Sequence, residues 1–159
     1  MIRSVNIPLR EALVQKLSTL TYLGVVIPVF DVFTNKKQPA IIGGLSPVTA
    51  VVALENQTAD NNSPQCLRSD QASIQIQVKV SFNANSGNHE HSEKIMDLIL
   101  ALLWPNGNGY KMDVQLSDPF DMSKSSLESI RNLEYQDSTN RIFMTQALVL
   151  CQISQQPQS

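Results

Sequence analysis

Ile74, Ile76, Val78, Val80 and Phe82 alternate strictly with Ser73, Gln75, Gln77, Lys79 and Ser81. A side-chain period of two belongs to a strand with one buried face, so residues 73–82 are predicted to form one. The second face of this strand carries one ionised group, Lys79, among amides and hydroxyls. A strand surface meant for water normally carries charges that discourage pairing with other chains. Gln75, Gln77 and Lys79 therefore read either as an ordinary solvated face or as a contact with another subunit, and the alternation alone leaves both open.

The helical period of 3.6 appears twice. Leu9, Leu13, Leu17 and Leu20 recur at helical spacing beside Ala12, while Arg10, Glu11, Gln15 and Lys16 fall on other faces. A first amphipathic helix is expected over about residues 7–20, with Asn6 as its N-cap and Pro8 in the first turn, where a missing N–H costs nothing. A second is expected after a turn over residues 83–87. Ser86 or Asn88 can cap it, Glu90 and Glu93 sit near the positive end of its dipole, and Ile95, Leu98, Ile99 and Leu102 form its buried stripe, widened by Met96, Leu100 and Leu103. Pro105, Gly107 and Gly109 end it.

Between the helices, residues 25–31 read as a strand dense in β-branched side chains, with Pro28 favouring an edge or a bulge. Residues 34–47 form a breaker-rich connection. Its Gly43-Gly44 pair lacks the Lys-Ser/Thr of a phosphate loop, so that reading is rejected. Residues 49–58 read as another strand, followed by a polar tract over residues 59–71 that is too long for a tight hairpin. After the second helix, Met112, Val114 and Leu116 mark a strand over residues 110–116, and residues 117–124 look irregular. Ser125-Ser126-Leu127-Glu128 has capping-box spacing, yet Leu133 and Tyr135 alternate, so residues 127–135 read as mixed with a strand in the second half. Residues 141–153 form a final strand apolar on both faces, which must be covered on both sides. The expected architecture is α+β: a mostly antiparallel sheet with two helices on one face, in the order α-β-β-β-α-β-β-β. Residues 1–153 form a single domain, and residues 154–159 a loose polar tail.

Composition narrows the surface chemistry. Of 159 residues, 42% are hydrophobic and only 16% charged, the shortfall being made up by Asn, Gln and Ser. A net charge of −2 argues against tight non-specific nucleic-acid binding, which relies on clustered cations. Lys36-Lys37 is the one adjacent basic pair. Cys66 and Cys151 give neither a disulfide framework nor metal spacing. The opening residues lack the apolar core of a secretory signal, and the apolar run over residues 95–104 is short of the roughly 20 residues of a membrane span. A cytoplasmic place of synthesis and no membrane partner are expected.

Candidate chemistry is sparse. His89-Glu90-His91 is the one cluster that looks like a site, but two histidines two apart diverge on a helix, and the zinc-protease arrangement needs them four apart. Tyr110 and Tyr135 are read as closing the core. No metal, cofactor or catalytic set is expected, and a small cytoplasmic enzyme using His89 and His91 is the weaker alternative.

The Pro8-Leu9-Arg10-Glu11-Ala12-Leu13 helix, the strand over residues 25–31, the long strand into Ser81-Phe82-Asn83, the helix ending at Leu102-Leu103, and Asn140-Arg141-Ile142-Phe143 opening a long apolar strand together resemble the tail terminator, or tail-completion, proteins of long-tailed bacteriophages. The tracts over residues 59–71 and 117–124 depart from that pattern. The resemblance implies an α+β virion subunit assembled in the host cytoplasm as a homo-oligomeric ring, usually six-fold. Such a ring caps the tail tube protein when the tube reaches its length and joins a head-side connector or stopper protein, while dsDNA passes through without tight binding. On this reading Gln75, Gln77 and Lys79 contact a neighbouring subunit, and Lys36, Lys37, Asp60 and Asp70 are loop residues that meet the tube or the head-side partner. Another neck or connector ring, of twelve subunits, is the alternative within the class.

Overall fold

The alternating segment becomes the middle of a much longer strand. The computed structural model describes residues 5–33, 36–42, 48–59, 68–83, 86–107, 111–137 and 139–155. Element α1 (Asn6–Lys16) continues as a 3-10 turn (Leu17–Thr19), and β1 (Thr21–Tyr22) and β2 (Val25–Val26) form a small hairpin. The chain continues through β3 (Val29–Asp31), β4 (Ala40–Ile41), β5 (Thr49–Ala59), β6 (Arg68–Asn83), α2 (Glu90–Leu103), β7 (Phe120–Asp137) and β8 (Asn140–Gln155). The main sheet has the order β3-β5-β6-β8-β7, with β4 also on β5; every pairing is antiparallel except β3 with β5. The fold is α+β.

Register puts the apolar sets on one side. Val52 faces Val78, Leu54 faces Ile76, and Val149 and Ala147 face Ile74 and Ile76. All of these are buried. Leu9 and Leu13 of α1 and Ile95, Met96 and Ile99 of α2 join the same core, so both helices cover one face. At its edge, the Thr145 hydroxyl donates to Asn132 Oδ1 at 2.8 Å, and Ser92 Oγ lies 2.8 Å from Thr145 Oγ1. Asn132 in turn donates to Glu93 Oε1 at 2.6 Å, so a polar relay ties α2 to the outer strand β7.

Several expectations are corrected. Asn6 lies inside α1 with Val5 at the cap position; its Oδ1 instead accepts from Asn56 Nδ2 of β5 at 3.0 Å. His89, rather than Ser86 or Asn88, holds the cap position of α2, although Asn88 Oδ1 accepts from the Glu90 N–H at 2.9 Å. Arg10 is buried rather than outward, because Asp31 receives its Nε–H. Pro28 splits the expected strand into β2 and β3, and β3 is an edge strand, as a proline without an N–H favours. The polar tract is shorter than expected, since Arg68–Gln71 already belong to β6. In α2 the buried stripe is Ser92, Ile95, Met96, Ile99 and Leu103, with Leu98 exposed and Leu102 half-buried.

Residues 111–116 are not a strand. Met112 and Leu116 are buried and Val114 half-buried, but the segment joins no ladder. Its backbone is instead tied by the Asp113 N–H to Leu103 O at 2.7 Å and the Met112 N–H to Ser125 Oγ at 2.6 Å. Among the described residues, only two strands therefore follow α2. Ser125–Glu128 open no helix, for β7 runs through them and through most of the stretch read as irregular. Tyr135 is exposed rather than in the core. Ser154 and Gln155 extend β8, so the domain runs past residue 153. Cys66, Tyr110, Gly43-Gly44 and residues 156–159 lie outside the described residues.

Cys151 is buried, and burial pushes its thiol up to about 12 from the ordinary 9.0. A thiol rather than a thiolate is inert to alkylation. In a Cys66→Ser background, iodoacetamide at pH 8 is expected to leave the native chain unlabelled and to label it fully in urea, as read by intact mass. The sign of the linkage follows: the unfolded thiol ionises first, so this group's contribution to stability is intact below about pH 9 and is lost as pH rises toward about 12.

Candidate functional site

Both helices lie on one side, and among the described residues no helix or strand covers the other face of the sheet. Gln75, Gln77 and Lys79 project there from the central strand and are half-buried. Glu55, Ala53 and Val51 of β5 stand opposite them on one flank, and Leu148, Gln146 and Met144 of β8 on the other. Beyond β8 come Ser129, Arg131 and Leu133 of β7. The three residues singled out from the alternation are thus brought together at the centre of one continuous surface.

Its chemistry is that of a hydrogen-bonding sheet flecked with apolar groups. The Gln77 amide nitrogen donates at 3.4 Å to both Glu55 Oε2 and Gln75 Oε1. Near one edge Phe30, Val51 and Ala53 form a small apolar cluster with Val32 packed on it. Toward the other edge the central Gln146 is only 6% exposed while Leu150 is 41% exposed, the reverse of what polarity alone dictates. Among the described side chains of this face, Lys79, Lys124 and Arg131 are cationic and Glu55, Asp121 and Glu128 are anionic. Residues of β7 were missed by sequence reasoning. Their only signal was alternation, and it is broken by register shifts between Met122 and Lys124 and between Leu127 and Ser129.

The four partner-contact residues are not brought together. Lys36 and Lys37 are exposed beside β4, which pairs with the start of β5. Lys37 lines a hollow of about 380 Å³ with Val14, Val26, Ile27, Val29 and Ala40. Asp70 is not in a loop: its backbone pairs with Ile153 in β6, at the opposite end of the sheet. Asp60 lies outside the described residues.

The two histidines join one aromatic cluster with Phe82 and Phe143 at the start of α2. His91 Nδ1 lies 2.7 Å from the Tyr22 hydroxyl, whose pKa is raised, chiefly by burial, and its ring stacks on Phe82. His89 packs edge-on against Phe143 with ring centroids 4.9 Å apart. Both rings are therefore engaged in packing the end of the sheet, and no group of three metal-ligating side chains occurs among the described residues. No helix among those residues is long and apolar enough to cross a membrane. No protein-family model matches the chain, and no curated protein matches it.

Proposed function

We propose that the chain is a structural virion subunit that assembles into a ring at the head-proximal end of a phage tail, caps growth of the tail tube, and offers a surface to a head-side connector or stopper protein. The observation that carries the reading is the open sheet face. Gln75, Gln77 and Lys79 supply hydrogen-bonding groups at little desolvation cost, and Leu133, Leu148 and Leu150 supply apolar area. Such a surface suits contact with protein better than contact with water. Capping is steric and needs no catalytic group, in keeping with histidines spent on packing. A ring lumen of low charge lets DNA slide, because each neutralised phosphate adds salt-dependent affinity.

The test is the mass of the full-length protein, alone and mixed with tail tube protein, by native mass spectrometry and sedimentation. A discrete ring, six copies on the main reading, that halts tube elongation at substoichiometric amounts is the expected result. A twelve-copy ring indifferent to the tube transfers the protein to the connector class. A monomer both alone and with tube protein overturns the ring altogether.

A further inference from the structure

The two irregularities of β7 bracket a depression on the open face. A bulge turns its strand and re-aims the neighbouring side chains. Between the two register shifts, Lys124 and Ser126 face Gln152 and Leu150. There a hollow of about 200 Å³ is lined by Gln71, Lys124, Ser126, Glu128, Leu150 and Gln152. An exposed leucine in a hollow with one cation and one anion on its rim suits an aliphatic side chain flanked by both signs of charge. The Glu128 carboxylate disfavours a phosphate backbone there.

The matching projection lies on the other side of the same molecule. Leu98 of α2 is 39% exposed, unlike the rest of the helix's large aliphatic side chains, which are buried or half-buried. Asp97 stands beside it and Lys94 one turn away, both exposed, Lys94 also pairing with Glu90 Oε1 of its own helix at 2.7 Å. Because α2 covers the opposite face of the sheet, one copy cannot bring its own projection to its own hollow. A contact between two different patches is heterologous, and it propagates into a ring if its rotation closes.

We propose that Leu98 of one copy seats in the Leu150 hollow of the next, with Asp97 against Lys124 and Lys94 toward Glu128. This rests on the ring reading and supplies its subunit contact. The occupant is a second copy because size, apolarity and both signs of charge match within the one sequence.

Charge reversal tests it in the full-length protein. Asp97→Lys and Lys124→Asp, both at exposed sites, are each expected to weaken self-association at least about tenfold in sedimentation, and the double variant to restore it. In a Cys66→Ser background, Leu98→Cys with Leu150→Cys is expected to give a ladder of intermolecular disulfides under mild oxidation, while either cysteine alone gives no ladder. An oligomer untouched by both reversals, or single defects that the double variant fails to repair, with no ladder, overturns this contact and leaves the ring standing. A wild-type chain that is monomeric alone and with tube protein, together with no ladder from the double-cysteine variant, overturns the ring and this contact with it.

Discussion

Replacing Arg10 with Ala is expected to lower the unfolding free energy by about 3–5 kcal/mol, the range for removing one partner of a buried ion pair. Arg10 projects from the buried side of α1 beside Leu9 and Leu13, and both it and Asp31 are buried. Its Nε–H donates to Asp31 Oδ2 at 2.5 Å, and its guanidinium carbon lies 4.9 Å from the centre of the Phe33 ring. Without Arg10, the Asp31 carboxylate keeps the Phe33 N–H at 3.0 Å but loses its countercharge in a place water reaches poorly. The strand carrying Asp31 is a three-residue edge strand, and the pair adds a buried polar tie between α1 and that strand. Urea denaturation with an unchanged m-value reads the loss. The double variant Arg10→Met with Asp31→Leu is expected to recover much of it, since removing both charges removes the uncompensated one. A loss for Arg10→Ala inside the about 0.2–1 kcal/mol typical of exposed pairs sinks the account.

That pair also shows where sequence reasoning stopped. Arg10 was assigned outward because a lone charge on a helix is ordinarily solvated, and nothing local reveals a partner 21 residues on. By contrast β6 was legible, because Ile74, Ile76, Val78 and Val80 keep one phase throughout and a one-residue slip would put all four on the wrong face. Strand β7 was not. Its covered-side residues are Phe120 and Met122, then Ser125 and Leu127, then Ile130 and Asn132, so each irregularity inserts a residue and reverses the phase. A reader of alternation sees three short, conflicting fragments. Residues 112–116 err in the opposite sense: alternation reports burial of Met112 and Leu116, but not whether a neighbouring strand is there to pair with. The candidate surface was half legible for the same reasons. Its β6 part lies in the unbroken phase, whereas the part on β7 that forms the hollow lies between the two shifts.

Gly87→Ala is expected to be the most damaging substitution of a glycine among the described residues, and it probes the placement of α2 itself. Gly87 has φ +110°, and a Cβ built there would lie 2.6 Å from Phe143 Cε2 and 2.7 Å from two ring carbons of Phe82. Both rings are held by neighbours. Phe143 is met edge-on by His89 at 4.9 Å and by Phe82 at 5.5 Å, and the Arg141 guanidinium lies 5.1 Å from its centre. Phe82 is in turn stacked on His91, whose ring nitrogen holds the Tyr22 hydroxyl. The backbone alone costs about 1–3 kcal/mol for a non-glycine at such a φ, and overpacking adds about 1–3 kcal/mol. At about 2–4 °C per kcal/mol for a chain of this size, the combined effect is a fall in Tm on the order of 5–20 °C. Gly107→Ala separates the two causes, because it shares a positive φ of +89° but has nothing within 4 Å of its Cβ. It is expected to fall by only the backbone share, roughly half. Equal shifts for the two variants would mean that the aromatic cluster moves freely. The turn would then exert no hold on the start of α2, or on the Asp97 and Leu98 that the helix carries outward.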